Sequence, residues 1–213
     1  MITVWGRATS SNVQIVMWAL AEIGLDCKRI DAGHSFGGLD TAEYRAMNPN
    51  GLVPTLIDGD EEPLWESAAI VRYLGAKYGS EAFWPRDPAE RARLDKWAEW
   101  IKTSFGPAFL PSIFWALLQR PENRDKAAFA AAEQKVKPLA RMLDAQLAEG
   151  RPYLRGEEPC FADIIVGTLL YRYFTLDFER AETPNLRGYY DRLRARPAYA
   201  EHVMVSYDVL KAR

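Results

Sequence analysis

Three short runs in the first third of the chain carry side chains of chemical interest. Thr9-Ser10-Ser11-Asn12 opens an amphipathic stretch, offering hydroxyls and an amide where a helix leaves its first N–H groups unpaired. Asn48-Pro49-Asn50-Gly51-Leu52-Val53-Pro54 joins a turn signal to an apolar dipeptide. Glu66-Ser67 begins a second helical pattern with a carboxylate and a hydroxyl. Hydroxyls and free N–H groups at a helix N-terminus suit an anion such as a carboxylate, and Glu66 suits a cation. Each run also has a plainer reading. Ser and Asn cap any helix, Asn-Pro-Asn-Gly turns a chain, and an acidic residue complements the positive helix end. Singly, none of the three decides between architecture and chemistry.

Bulk composition narrows the field. The 213 residues carry 27 basic and 29 acidic side chains for a net charge of -2. That mixture gives no clustered positive charge for nucleic acid and none for a membrane surface. The uncharged stretch from Thr103 to Gln119 contains Gly106, Pro107 and Pro111. A spanning helix wants about 20 uninterrupted apolar residues, so a kinked, buried helix is expected. Cys27 and Cys160 have no metal or disulfide-framework spacing; no metal is expected. With no secretory leader visible at the start, the cytoplasm is the expected compartment.

The elements that must position the three runs alternate in type. Ile2–Gly6 reads as a buried strand, and Asn12 to Gly24 as a helix with Val13, Val16, Met17, Leu20 and Ile23 on one face. Gly24 suits the stop. Cys27–Ile30 is a second strand, followed by a glycine-rich loop, Gly33 to Gly38, and a short helix over Thr41–Met47. Val53–Ile57 and Pro63–Trp65 flank Asp58-Gly59-Asp60 as a hairpin, and Ser67–Tyr78 returns to helix. The order β-α-β-α-β-β-α implies a mixed sheet, because a crossover pairs strands in parallel and a hairpin antiparallel. Residues 1–80 therefore form an α/β domain, 81–87 a linker and 88–213 an all-helical domain. Asp87-Pro88-Ala89-Glu90 starts the latter with a cap, a tolerated proline and a capping-box glutamate. Helices are expected over 88–118, 123–148, 161–174, 185–195 and 198–210, with a kink or a late start at Pro138.

Together, the three runs and this element order resemble the glutathione S-transferase superfamily over nearly the whole chain, in the manner of its bacterial, serine-type members. The resemblance implies a thioredoxin-like N-terminal domain, an all-α C-terminal domain and glutathione as co-substrate. Its most specific features are Val53-Pro54 after Asn-Pro-Asn-Gly, and Glu66-Ser67 followed by Ala69-Ile70 and Tyr73-Leu74. It implies that Val53-Pro54 is cis, with Leu52, Val53 and Pro54 at the peptide backbone of glutathione and Glu66 and Ser67 at its γ-glutamyl end. Counting back from Gly24 matches Ser10 to the catalytic hydroxyl and Asn12 to an assisting asparagine; Ser11 stays a close rival. No Tyr or Cys occupies those places, which excludes the tyrosine-type and cysteine-type subgroups.

A hydroxyl is the right kind of group for that role. A thiol near pKa 8.5 is only a few per cent ionised at neutral pH. Lowering it by about two units needs about 2.7 kcal/mol. One hydrogen bond to a charged acceptor contributes about 1.5–3 kcal/mol, and a helix N-terminus about 0.3–1. No general base is required.

The resemblance also implies a homodimer and an apolar second site. Phe105, Phe109, Phe114, Trp115 and Leu117, with Trp97 and Trp100 one or two turns earlier, are expected to line that site for a hydrophobic electrophile, although an aromatic stripe is equally an ordinary core. Two departures stand out. Leu52 replaces a polar residue that many relatives use; His34 reads either as a solvated loop histidine or as a substitute at the glycine carboxylate. Cys160 replaces the Ser or Thr that caps the helix near Asp163. Three functions follow: conjugation of glutathione to an electrophile, glutathione-dependent reduction of a disulfide or peroxide, and non-catalytic binding on the same fold.

Overall fold

The computed structural model describes residues 1–212. Four strands form one sheet: β1 Ile2–Trp5, β2 Cys27–Ile30, β3 Thr55–Asp58 and β4 Leu64–Trp65. Their order is β2-β1-β3-β4. β1 runs parallel to β2 (Val4 opposite Arg29) and antiparallel to β3 (Val4 opposite Leu56), and the hairpin adds β4 antiparallel to β3. The mixed sheet and the α/β-plus-all-α architecture read from the sequence are both present.

Helix α1, Ser11–Glu22, crosses over between β1 and β2 and buries Val13, Val16 and Leu20. Gly24 ends it in the left-handed region at φ 73°. Its N–H reaches the Ala21 carbonyl, while that of Leu25 reaches Leu20 at 2.9 Å, the paired bonds that close a helix on glycine. Helix α2 spans Ala42–Met47, and α3 spans Ser67–Tyr78.

Asp58, buried at the end of β3, ties the sheet to the last turn of α3. One of its oxygens accepts from Tyr73 Oη (2.6 Å), Tyr78 Oη (2.6 Å) and Lys77 Nζ (2.9 Å). Burial would raise the pKa of this carboxyl, but the three hydrogen bonds and the charge of Lys77 outweigh it and hold the group at about 2. A carboxylate depressed below its unfolded value of about 3.9 contributes its stability in full above that value and loses it as pH falls through the folded value. Between pH 6 and pH 2 the protein is expected to lose about 2 kcal/mol more than Asp58→Asn does. Denaturant melts at the two pH values measure this; equal acid sensitivity in both proteins would refute it.

The helical region comprises α4 Pro88–Leu118, α5 Lys126–Leu147, α6 Phe161–Thr175, α7 Pro184–Arg194 and α8 Pro197–His202. Asp87 caps α4 by accepting from Ala89 N at 2.9 Å. Glu90 does not complete a capping box. It turns instead to a two-pronged pair with Arg155 (2.8 and 3.1 Å), a stronger use of a carboxylate than a solvent-exposed cap. α4 passes through two widened π turns, Ile101–Phe105 and Leu110–Phe114. They accompany Pro107 and Pro111, which lack the N–H that a regular helix needs. By length and composition α4 could cross a membrane, yet Ile101, Phe105, Phe109, Ile113 and Phe114 are fully buried inside the protein.

Two boundary expectations need correction. α5 starts at Lys126, where Asp125 accepts from Ala127 N and Ala128 N, and continues through Pro138, so there is no late start. Burial of Val136, Ala140 and Leu143 holds the helix across the missing bond. The last helix stops at His202 instead of running to 210. The Ser206 hydroxyl accepts from Asp208 N and donates to its carboxylate, and such local side-chain bonds compete with helix.

Candidate functional site

The sharp turn from β1 into α1 rests on Gly6. Its φ is 149°, and a Cβ there would lie 2.4 Å from Val13 Cγ2 and 3.1 Å from Val53 Cβ. A bare backbone at this point lets the turn that leads into the Thr9–Asn12 run pass close to Val13 and Val53. Two side chains fasten the turn from outside: Gln14 Nε2 donates to Ala8 O at 2.9 Å, and Arg172 Nη2 to Thr9 O at 2.7 Å. Arg172 is buried over the Phe114 ring, and that burial pushes its pKa down to about 10.

Ser10 is the N-cap residue of α1, and its carbonyl starts the helix by accepting from Gln14 N. Its hydroxyl makes no capping bond. A buried serine at an N-cap that leaves the cap unmade is free to donate elsewhere. Ser11 and Asn12 follow on the first turn and face a cleft toward α4.

The Asn-Pro-Asn-Gly turn is built around one buried side chain. Asn48 Nδ2 donates to Leu52 O (2.9 Å) and Thr55 Oγ1 (3.2 Å), and its Oδ1 accepts from the backbone and amide of Asn50. Tyr44 Oη adds a 2.6 Å bond to Leu52 O. The carbonyl of Leu52 is therefore committed internally, while its side chain is 63% exposed. The Val53–Pro54 peptide is cis, as the resemblance implied. Val53 lies just before β3 and outside the β1–β3 pairing.

Glu66 holds φ at 68° as the N-cap of α3. A non-glycine residue in that region is a strained arrangement typical of functional sites. Ser67, the first residue of α3, is buried, and its Oγ donates to Asn12 Oδ1 at 3.2 Å. The structure thus joins two of the residues singled out from different runs. His34 is exposed at φ 55° on its loop.

Lys102, which sequence reasoning missed, completes this junction from the helical region. Its Nζ lies 2.8 Å from Asn12 Oδ1 and 3.1 Å from Ser67 Oγ. Burial lowers its pKa, against the raising effect of Glu66 and Glu99. The available signal was its position, a single charge at the edge of the apolar Thr103–Gln119 stretch.

Between α1, α4 and α6 lies a cavity of about 380 Å³ walled by Ile15, Ile101, Pro107, Leu110, Ile165 and Leu169, with Ser11, Asn12 and Lys102 at its polar edge. The aromatic residues expected to line it do not. Phe105 and Phe109 pack on Tyr173, with ring centroids 5.5 and 5.8 Å away. Phe114 is fully buried and Trp115 is 41% exposed. Trp97 and Trp100 pair with each other. Leu117 is half-buried against the core. The large rings fill the interior because they bury the most apolar area. The opposite, proline-rich side of α4 faces the cleft.

Comparison with known proteins agrees with this architecture. Residues 9–77 match the family model of the glutathione S-transferase N-terminal domain, and residues 107–197 that of the C-terminal domain. The chain is 39% identical over 206 residues to glutathione S-transferase GstB of Escherichia coli strain K12, covering 96% of this chain and 99% of that one. It is 34% identical to glutathione S-transferase 3 of Zea mays, covering 95% and 93%. Among solved structures it is similar to the theta class glutathione S-transferase of Xanthomonas axonopodis pv. citri with glutathione bound. That match has a TM-score of 0.89 and 46% identity, over 96% of this chain and 98% of that one. Architecture and kinship converge: the chain belongs to the glutathione S-transferase family.

Proposed function

We propose that the chain is a glutathione transferase in which Ser10 donates to the glutathione thiolate and Asn12 assists. Glutathione is the co-substrate. Leu52, Val53 and Pro54 lie along its backbone, and Glu66 and Ser67 take its γ-glutamyl end, the carboxylate on the free backbone N–H groups of the α3 N-terminus, beginning at Ser67, and the ammonium at Glu66. The observation that carries this reading is the Ser10 hydroxyl, left out of its own helix cap at the turn that meets Val53. Residues 1–80 supply the nucleophile, and 88–213 supply the apolar wall against which an electrophile is held beside the sulfur. In the reaction sulfur bonds to the electrophilic carbon and the leaving group departs with its electron pair. The apolar cleft supports hydrophobic electrophiles as the class. A cytoplasmic homodimer with a role in detoxification completes the proposal, and light scattering reports the mass.

Two assays and one binding measurement test it. The protein is expected to gain thermal stability with millimolar glutathione and to conjugate it to a chlorinated nitroaromatic faster than it reduces hydroxyethyl disulfide. Faster disulfide reduction would reassign it as a reductase. Binding without either activity would leave a glutathione-fold binding protein, and no thermal shift would remove the nucleophile altogether.

A further inference from the structure

The contacts of Lys102 determine which way the Asn12 amide faces. An ammonium donates three hydrogen bonds and accepts none. The Asn12 atom 2.8 Å from Lys102 Nζ must therefore be the amide oxygen. The same oxygen accepts from Ser67 Oγ at 3.2 Å, and Ser67 in turn accepts from Lys102 at 3.1 Å. Three groups from α1, α3 and α4 thus form a closed triangle in which every bond has a fixed direction. Its consequence is that the Asn12 oxygen is occupied, and the amide nitrogen is the end left to donate away from α4.

We propose that Lys102 is a positioning residue, which reaches across from the helical domain to turn the Asn12 amide so that its N–H donates to the glutathione sulfur. The proposal rests on the function above. Lys102 touches neither reacting atom; it acts through Asn12. Without it the amide is free to rotate and present its oxygen, an acceptor, which is the wrong group for an anionic sulfur. The charged groups around Lys102 do not displace it from this task. Glu66 and Glu99 are its acidic neighbours. Glu99 pairs with Arg72, which also grips Asp95 at 2.7 and 2.9 Å. The seat of Lys102 on a widened turn, Ile101–Phe105, follows from the helix irregularity at Pro107.

The test is a double-mutant cycle read by ultraviolet titration of the bound thiolate. Lys102→Met is expected to raise the thiol pKa by about half to one unit and lower kcat/KM at pH 6.5 by about three- to tenfold. Affinity for S-methylglutathione, which has no thiol to ionise, is expected to stay within about twofold. Lys102→Arg, which keeps the donor, restores most of the loss. In an Asn12→Ala background the Lys102 substitution is expected to add nothing, because the two act as a unit. Additive effects, or an unchanged thiol pKa in Lys102→Met with wild-type binding intact, would overturn the proposal. Loss of S-methylglutathione affinity alone would also overturn it, making Lys102 a ligand contact. If the unsubstituted enzyme itself leaves the thiol pKa at its solution value, the underlying function fails, and this inference with it.

Discussion

Ser10→Ala is expected to raise the pKa of enzyme-bound glutathione by about one to two units and to lower kcat/KM near neutrality by about ten- to hundredfold. The magnitude follows from removing one hydrogen bond to a charged acceptor, about 1.5–3 kcal/mol, at 1.36 kcal/mol per unit. Binding of glutathione is expected to change little, since Glu66, Ser67 and the Val53 loop are untouched. The mutation should also cost little stability, because the Ser10 side chain makes no cap bond while its carbonyl continues to accept from Gln14 N. Ultraviolet titration of the thiolate, paired with a pH–rate profile, measures both effects. Above the shifted pKa the activity recovers, because the thiolate then forms without help. Ser11→Ala is the matching control. Ser11 borders the cleft beside Asn12, and a larger thiol shift there than in Ser10→Ala would exchange the two roles.

Asp163→Ala is expected to destabilise the protein by about 3–5 kcal/mol. For a chain of this size that lowers Tm by about 6–20 °C. Asp163 is fully buried at the start of α6. It accepts from Leu154 N (2.9 Å), Cys160 N (2.9 Å), Cys160 Sγ (3.1 Å) and Tyr189 Oη (2.8 Å). Alanine strands all four donors in a dry interior and leaves a void. The thiol of Cys160, read from sequence as a weak substitute for a capping hydroxyl, is one donor among these four. Cys160→Ser should therefore stay within about 1 kcal/mol of the parent protein. Calorimetric melts separate the cases, and an Asp163→Ala loss under about 3 °C would show that the carboxylate is not the anchor of this helix.

The N-terminal half of the fold was legible because its signals are local. A short β-branched strand, a five-residue apolar face from Val13 to Ile23 and a glycine at the α1 stop each require no knowledge of distant residues. Around the candidate site the backbone was legible, in the helix starts at Ser10 and Ser67 and in the cis Val53–Pro54 peptide that the resemblance implied. Lys102 was not, because its partners lie 90 and 35 positions away and no periodicity announces a contact between domains. The aromatic residues of α4 misled for a related reason. Their spacing fits one helix face, but spacing alone does not say whether that face meets the interior or the cleft. Glu90 shows the same limit on a smaller scale, since a cap position was given up for an arginine 65 residues on.

The two widened turns of α4 have a consequence for how this segment tolerates change in length. A π turn accommodates one residue more than a regular turn, so each is the geometric equivalent of a single insertion. A residue in an α-helix advances the side-chain direction by about 100°. Removing one position inside either widened turn would let the winding relax to regular with the rest of the helix kept in phase, whereas removing one from the regular turn Gly106–Phe109 would swing the remainder by about that angle. In that second case Phe114 would leave the interior, and the cleft wall beyond the deletion would be replaced by side chains that now face elsewhere. The length of the regular turn between the two widened ones is thus a dimension of the cleft, set by residue count as firmly as by residue type.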